Sequence, residues 1–282
     1  MRTHIAGLAA AGLLSWAGLA AADQWDRSFK VTGKPAVRIE TDEGSIRVSA
    51  WDRPEVALHV ATRGWRIAPS GVTVSARQAG ERIELIARTP RFEWNLWGGR
   101  SLEITVHVPR QSDLEVQAGD GSIRIEPVAG EIRARSGDGA ITASGLRGRI
   151  ALHTGDGPIE AVALDGELTA TTGDGRIRVA GRFVGLDLGS GDGSLEAEVT
   201  AGSRMERPWS LHTGDGSMEL RLPADLAADL DAHTGDGAIN LGMPVVVSGA
   251  LSRSRIHAAL NGGGPLLRLW SGDGSIRIDA AR

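Results

Sequence analysis

A Gly-Asp-Gly triplet that recurs eight times constrains the fold of this chain more than any other feature. Its aspartates are Asp120, Asp138, Asp156, Asp174, Asp192, Asp215, Asp236 and Asp273. The first five are spaced 18 residues apart without exception. A short fixed period is typical of stacked architectures, in which each repeat is one structural unit. The sequence therefore predicts a repeat fold over residues 116–282.

The residues between the triplets alternate between apolar and polar. In the repeat that follows Asp120, Ile123 and Ile125 are apolar and the residue between them is charged. A second apolar pair, Ile150 and Leu152, begins twelve residues after Asp138. Alternation with a period of two is typical of half-buried β-strands. Each 18-residue coil is therefore predicted to contain two short strands and two tight corners.

These patterns predict an all-β protein with a β-solenoid, or β-helix-like, fold of about 18-residue two-strand coils. Each strand is expected to pair with the same strand of the next coil, about 4.8 Å away. We expect the corner glycines to supply positive φ angles and close packing. We expect each triplet aspartate to accept hydrogen bonds within its own turn. The alternation and the 39 glycines both exclude a helical protein.

The repeat is irregular at both ends of the chain. Residues 23–115 alternate without a fixed period and predict an irregular N-terminal β region that caps the solenoid. Within it, Glu43–Val48 resembles the later repeat with Glu in place of Asp. After Asp192 the spacing of the triplets grows to 23, 21 and 37 residues. We expect a bulging loop at 204–209, one further coil within 243–265, and an open end at the last strand.

Residues 1–22 have the pattern of a secretory signal peptide. A polar start is followed by an apolar run from Ile5 to Leu19 and by three alanines before Asp23. A retained membrane anchor is the alternative, but the run is short for a span. No later segment is apolar enough to span a membrane. The domain at 23–282 is predicted to be exported, to the periplasm, the medium or the cell surface.

The composition argues against nucleic acid and anionic lipid as partners, and it excludes stabilisation by disulfide bonds. The net charge of −4 argues against nucleic acid, which favours a basic surface. The chain also lacks a polybasic segment for anionic lipid. Because it contains no cysteine, its stability cannot depend on disulfides even in an oxidising compartment.

Several stretches outside the regular repeat point to a known family. They are Phe29–Val31, Val37–Ile39, Gly44–Val48 with Trp51 and Asp52, Val108–Leu114, and Leu260–Pro265 followed by Gly272–Ile276. Through them the sequence resembles the bacterial "putative adhesin" family, a domain of unknown function with β-strand repeats. The resemblance covers nearly all of residues 23–282. It implies a β-solenoid fold and a cell-envelope or surface setting, and it brings no catalytic residues.

Aromatic residues in the connections are the first candidate binding site. Phe92, Trp94 and Trp97 lie between two predicted strands beside Arg91, and Trp209 lies in the predicted bulging loop. Exposed Trp and Arg together are favoured at binding surfaces. The alternative is that the loop around Trp94 folds over one end of the solenoid and caps its core.

Metal binding is the second candidate. His212 and His233 both precede a Gly-Asp-Gly triplet, and we expect their coils to be neighbours. With Asp215 and Asp236 they could form a surface metal site, although exposed histidines of a repeated template are the favoured explanation. Stacked triplet aspartates could bind Ca²⁺, although hydrogen bonds within each turn are the favoured alternative. We expect no cofactor, with Ca²⁺ as the one exception to test.

The sequence favours a non-catalytic exported protein of the cell envelope. We expect an adhesin, or a scaffold or binding module, with a protein or glycan partner. A Ca²⁺-stabilised solenoid and a polysaccharide-active enzyme are the alternatives. Against an enzyme, the minimal coils at 119–195 leave no room for the walls of a groove, no spacing suggests a catalytic triad, and no phosphate-binding loop is present.

Overall fold

The computed structural model describes residues 22–90, 99–244, 246–247 and 252–281, and within these ranges the regular elements are all β-strands. Along the same ranges, no helix is long and apolar enough to cross a bilayer. The first twelve strands are β1 (Gln24–Lys30), β2 (Ala36–Thr41), β3 (Ser45–Trp51), β4 (Glu55–Arg63), β5 (Thr73–Ala79), β6 (Arg82–Arg88), β7 (Ser101–Pro109), β8 (Asp113–Ala118), β9 (Ile123–Ile125), β10 (Ala129–Ser136), β11 (Ile141–Ser144) and β12 (Arg147–Thr154). The others are β13 (Ile159–Thr172), β14 (Ile177–Ser190), β15 (Leu195–Val199), β16 (Trp209–Thr213), β17 (Met218–Leu222), β18 (Ala228–Thr234), β19 (Ile239–Gly242), β20 (Val246–Val247), β21 (Arg255–Leu260), β22 (Leu266–Ser271) and β23 (Ile276–Ala280).

The pairings form two ladders, which share the long strands β13 and β14. Ladder A runs β5–β6–β2–β8–β10–β12–β13–β14–β16–β22–β18–β21–β20. Ladder B runs β1–β4–β7–β3–β9–β11–β13–β14–β15–β17–β23–β19. The chain passes from ladder A to ladder B at each triplet corner. The predicted all-β solenoid of 18-residue coils is therefore confirmed.

Identical positions of successive coils are paired in parallel. Ile123 lies opposite Ile141, Ile141 opposite Ile159, and Ile159 opposite Ile177. All four side chains are buried, with at most 1% of their surface exposed. Burying an isoleucine side chain contributes about 1.5–3 kcal/mol relative to leaving it in water. The stacked columns of the two ladders thus form one continuous core.

The N-terminal region joins the same stack. Ile46 lies opposite Ile123 and Val48 opposite Ile125, so Glu43–Val48 is a true rung of the solenoid, as predicted. Outside this rung the antiparallel strands β4 and β1 extend ladder B, and β5 extends ladder A. Arg27 Nη1 donates to the carbonyl of Ala76 over 3.1 Å, which links β1 to β5. These antiparallel strands close that end of the core.

The C-terminal end differs from the sequence prediction. Strand β22 lies between β16 and β18, and β23 lies between β17 and β19. The predicted extra coil within 243–265 is wrong, because β20 and β21 run antiparallel along the outer edge of β18. The prediction of an open end at the last strand is also wrong, because β23 is hydrogen-bonded on both sides.

The triplet glycines are required by close approach and not by positive φ. The amide of Gly137 donates to the carbonyl of Gly119 over 2.5 Å, and a Cβ on Gly139 would lie 2.2 Å from the oxygen of Gly121. Positive φ occurs instead at the opposite corner, with 112° at Gly148. The expected positive φ at the triplets is therefore wrong, and stacking distance alone excludes larger residues there.

A column of buried hydroxyl groups closes the triplet turns. Thr172 Oγ1 donates to the carbonyl of Gly157 over 3.0 Å and accepts from the amide of Gly175 over 3.2 Å. The same position is occupied by Ser136, Thr154, Ser190, Thr213, Thr234 and Ser271. Within the described residues none of the eight triplet aspartates has a side-chain hydrogen bond, so the prediction that Asp closes the turn is wrong.

Candidate binding surface

One line of side chains crosses the outer face of ladder A just before the triplet corners. We call it the face row, and it consists of Arg135, His153, Thr171, Gly189, His212, Trp270, His233 and Arg255 in this spatial order. Because alternate residues of a strand face opposite sides, the buried residues on either side of the first seven members, and the buried Ile256 next to Arg255, place these side chains outward. The row spans seven strand-to-strand steps, or about 34 Å.

The middle of the face row is held flat by local contacts. His153 Nδ1 lies 2.8 Å from the hydroxyl of Thr171 on the next strand. The ring of His212 covers Gly189, since a Cβ on Gly189 would lie 2.5 Å from His212 Cε1. The missing side chain at Gly189 therefore makes room for the imidazole. Both rings lie along the sheet surface, where a ligand could contact their faces or edges.

Trp270 is the most apolar member of the face row. Its side chain is 44% exposed, and Val246 is the other exposed large apolar side chain in the part of the chain that the structure describes. On the neighbouring strands Trp270 lies opposite His212 and His233. An exposed tryptophan between polar groups is a typical anchor of a binding surface.

A shallow depression lies at the Arg135 end of the face row. Its volume is about 310 Å³, and its floor includes the small residues Ala151 and Thr169. Arg133, Arg135 and His153 line its sides. The floor is low because these two side chains are short, while both arginines beside them are long. The depression and the face row together form one surface, rich in hydrogen-bond donors.

The larger depression on ladder A is a charge-balanced structural network. It has a volume of about 660 Å³ and lies over β5, β6, β2, β8 and β10. Across these strands the side chains alternate in sign, as Arg77, Glu84, Arg38, Glu115 and Arg133. Arg77 pairs with Glu84 at 2.6 Å, and Arg38 lies 3.7 Å from Glu115. Because opposite charges already neutralise one another, this depression is a weaker ligand site than the face row.

The aromatic binding site predicted from the sequence is not formed by Trp209. Its side chain is fully buried, and its Nε1 lies 3.4 Å from the carbonyl of Val184. The prediction that Trp209 belongs to a binding surface is wrong, because this residue begins β16 and points into the core. Phe92, Trp94 and Trp97 lie outside the described residues, in the connection between β6 and β7.

The four predicted metal ligands are not neighbours. Trp270 lies between His212 and His233, and the coil of Asp273 separates the coils of Asp215 and Asp236. The expectation that the two histidine coils are consecutive is wrong, because β22 and β23 are inserted between them. In the described ranges, no group of three or more His, Cys, Asp or Glu side chains is arranged to hold a metal ion.

A serine and a histidine meet on ladder B without completing a catalytic arrangement. Ser49 Oγ lies 2.8 Å from His107 Nδ1, and the ring of Trp51 stacks on the imidazole with centroids 5.1 Å apart. Within the described residues no carboxylate hydrogen-bonds or ion-pairs with His107. The pair therefore lacks the acid that orients the base in a catalytic triad.

The sequence contains a pattern that identifies Trp270, which was not among the predicted site residues. Trp270-Ser271 precedes its triplet as His212-Thr213 precedes the triplet of Asp215. Aligning all eight repeats on the triplet would have placed Trp270 in the same exposed column as the histidines. Its place between His212 and His233 could not be read in this way, because it depends on the spatial order of the coils.

Comparisons with known proteins agree with the fold. The family model described as Toastrack DUF4097 matches residues 35–278. A solved structure described as a "putative lipid binding protein" from Parabacteroides distasonis ATCC 8503 is 14% identical, with a TM-score of 0.50 over 91% of this chain and 96% of that one. A "putative cell adhesion protein" from Clostridium sporogenes ATCC 15579 is 13% identical, with a TM-score of 0.34 over 93% and 100%. A "putative adhesin" from Bacteroides fragilis NCTC 9343 is 12% identical, with a TM-score of 0.41 over 92% and 97%. No curated protein matches the chain.

Proposed function

Because this chain belongs to the Toastrack family, a family defined without an assigned function, we propose that it is a non-catalytic binding module of the cell envelope. Its ligand is a glycan, and the face row on ladder A is the surface that holds it. The rigid two-ladder core supports this role, since a site built on paired strands is held more firmly than a site on loops.

The exposure of Trp270 is the observation that supports this proposal most directly. A tryptophan offers a flat apolar surface on which the apolar face of a sugar ring can stack. The neighbouring His212 and His233, and Thr171 three strands away along the row, offer hydrogen-bond donors and acceptors for hydroxyl groups. A shallow surface of this kind suits an extended chain that lies across the strands, whereas an enclosed cavity would suit a small molecule.

The proposal is tested by screening the domain at 23–282 on a glycan array beside two variants. Trp270→Ala should weaken binding to the recognised glycans at least about tenfold, which corresponds to about 1.4 kcal/mol. Val246→Ala removes the other exposed large apolar side chain and should bind like the wild type. Binding that is unaffected by Trp270→Ala, or no binding to any glycan, would overturn the proposal.

Export is a separate part of the proposed function, and it rests on residues 1–22. A polar start, an apolar run and a small-residue cleavage site make this segment a signal peptide. Expression of the full chain in a bacterium should therefore yield a protein that begins near Asp23 and is found outside the cytoplasm. Cell fractionation shows where the protein is, and N-terminal sequencing identifies its first residue. A cytoplasmic chain that keeps residues 1–22 would contradict export while leaving the binding surface untouched.

A further inference from the structure

We infer that the face row binds an acidic polysaccharide, with the carboxylate groups of the sugar units held by its arginines and histidines. This inference rests on the proposed function, because it names the class of glycan that the same surface takes. It is drawn from the distribution of charge over the outer face of ladder A.

The face row contains no acidic side chain. Among its eight members, Arg135 and Arg255 lie at the two ends and three histidines lie between them. In the part of the chain that the structure describes, neither arginine has an ion pair or a side-chain hydrogen bond. Most other arginines of the outer faces are paired with carboxylates, as Arg149 is with Glu167. Two unpaired guanidinium groups on one row are therefore available to a ligand.

The acidic residues next to the face row already have partners of their own. Asp187 accepts a hydrogen bond from Arg207 Nη1 over 2.7 Å, and Asp231 lies 3.2 Å from His257 Nδ1. Arg268 lies opposite Asp231 on the adjacent strand and, within the described residues, has no ion pair of its own. The charge that a ligand meets along the row is therefore positive.

The triplet aspartates do not reverse this charge. Asp138 follows Arg135 by three residues, and its exposed carboxylate lies beyond the end of the strand at Ser136. At physiological salt, where the Debye length is about 8 Å, the field of such exposed carboxylates is weakened by screening. Direct contacts with guanidinium and imidazole groups dominate instead, since charge-assisted hydrogen bonds are the strong ones.

The geometry favours a sugar polymer over other polyanions. Successive members of the row lie on hydrogen-bonded neighbouring strands about 4.8 Å apart, close to the length of one sugar unit in an extended chain. Trp270 adds an apolar face for a sugar ring, which a polymer that offers only carboxylates cannot use. Single-stranded nucleic acid could also stack on Trp270, but a single aromatic side chain offers only one stacking platform.

The test measures binding of the 23–282 domain to a galacturonate oligosaccharide by calorimetry, at 150 mM salt. A neutral glucose oligosaccharide of equal length, polyglutamate and single-stranded DNA are the other probes. The galacturonate chain should bind at least about tenfold more tightly than each of them. Trp270→Ala should weaken its binding at least about tenfold, and Arg135→Gln about fivefold or more. Arg124→Gln removes the same charge from the opposite face and should have no effect.

The outcomes separate this inference from the proposed function. Equal binding of the neutral and acidic oligosaccharides, with loss in Trp270→Ala, would overturn the acidic preference and leave a glycan-binding face row. Preferential binding of DNA or of polyglutamate would overturn the choice of a sugar ligand. No binding of either oligosaccharide, together with an empty glycan array, would remove both proposals.

Discussion

At the scale of single residues, the repeat is held together by small groups that the alternation of apolar residues does not reveal. Each buried hydroxyl before a triplet connects two coils, because it donates to a glycine carbonyl one coil back and accepts from an amide in its own turn. The triplet glycines allow these coils to approach until their backbones are hydrogen-bonded. The turn therefore depends on Ser or Thr and on Gly, while the Asp side chain points into solvent.

Removing one of these hydroxyls should destabilise the protein without changing its volume. Thr172→Val leaves the carbonyl of Gly157 and the amide of Gly175 without their partner in a buried place. An unsatisfied buried polar group costs about 1–3 kcal/mol, so we expect the free energy of unfolding to fall by about 2–3 kcal/mol. Urea denaturation measures the change. Thr169→Val, at an exposed position of the same strand, should change it by less than about 0.5 kcal/mol.

Glu40 provides a prediction of how stability depends on pH. Arg88 Nη2 donates to its carboxylate, and this hydrogen bond, opposed by partial burial, holds the pKa of Glu40 below its usual range. A depressed pKa means that the pair stabilises the fold above the pKa of the unfolded chain, about 4.3. That contribution is lost as the pH falls through the pKa of the folded state.

Arg88→Met should therefore lower the free energy of unfolding at pH 7 by about 1 kcal/mol. The difference from the wild type should shrink as the pH falls through the lowered pKa of Glu40 in the folded protein, because the carboxylate that Arg88 holds then becomes protonated. Denaturation curves of both proteins at pH 7 and pH 3 measure this difference in the free energy of unfolding. Arg82→Met, on the same strand and exposed, is the control. An equal loss at both pH values would mean that Arg88 stabilises the fold by contacts other than its pair with Glu40, such as its ion pair with Asp42.

At the scale of strands, the sequence predicts each coil but not the order of the coils. The period of 18 fixes which residues face the core, and Ile123 pairs with Ile141 as expected. The coils of Asp215, Asp236 and Asp273 have equivalent apolar columns and equivalent hydroxyl groups before the triplet. Stacking them in chain order, or with the Asp273 coil between the other two, would therefore bury the same surface. The inserted position of β22 and β23 is decided by the connections and by the antiparallel strand β21, which covers the outer edge of β18.

The sequence also does not show which face of the sheet an aromatic side chain occupies, which explains why Trp209 was predicted to be exposed and why Trp270 was missed. A tryptophan after a long insertion predicts an exposed loop residue, whereas Trp209 begins a strand and fills the core beside the widened coil. Trp270 lies within an alternating strand sequence, between Leu269 and Ser271. It is exposed because its position in the repeat faces outward. Alternation assigns a face only when the first residue of the strand is known.

The inserted strands make a testable prediction about the C-terminal end. Deleting residues 263–282 removes β22 and β23, which bridge β16 to β18 and β17 to β19. We expect β18 and β19 to lose protection of their amides against hydrogen exchange, because their parallel partners are gone, and β21 to lose it with β18, its antiparallel partner. Strands β2 to β14 should keep the protection measured in the full chain. Retained protection of β18 would show instead that it pairs directly with β16.

At the scale of the whole molecule, the eight triplet aspartates form a line of like charge along one edge of the solenoid. Stacked corners lie about 4.8 Å apart, and each carboxylate is exposed and, in the described structure, without an ionic partner. Unit charges at that distance repel by about 1 kcal/mol in water. The line therefore opposes folding, and the hydroxyl column, the backbone ladders and the core outweigh it.

Relieving this repulsion should stabilise the protein. Asp156 has an aspartate on each side, so Asp156→Asn should raise the melting temperature by a few degrees at 10 mM salt. The gain should largely disappear at 1 M salt, where the Debye length is about 3 Å. Asp165→Asn is the matched control, with the opposite effect expected. Asp165 pairs with Arg182 at 2.5 Å, and losing this ion pair should lower the melting temperature. If Asp156→Asn also lowers it, the carboxylates bind a cation between the corners, and repeating the melt with Ca²⁺ and with chelator identifies that cation.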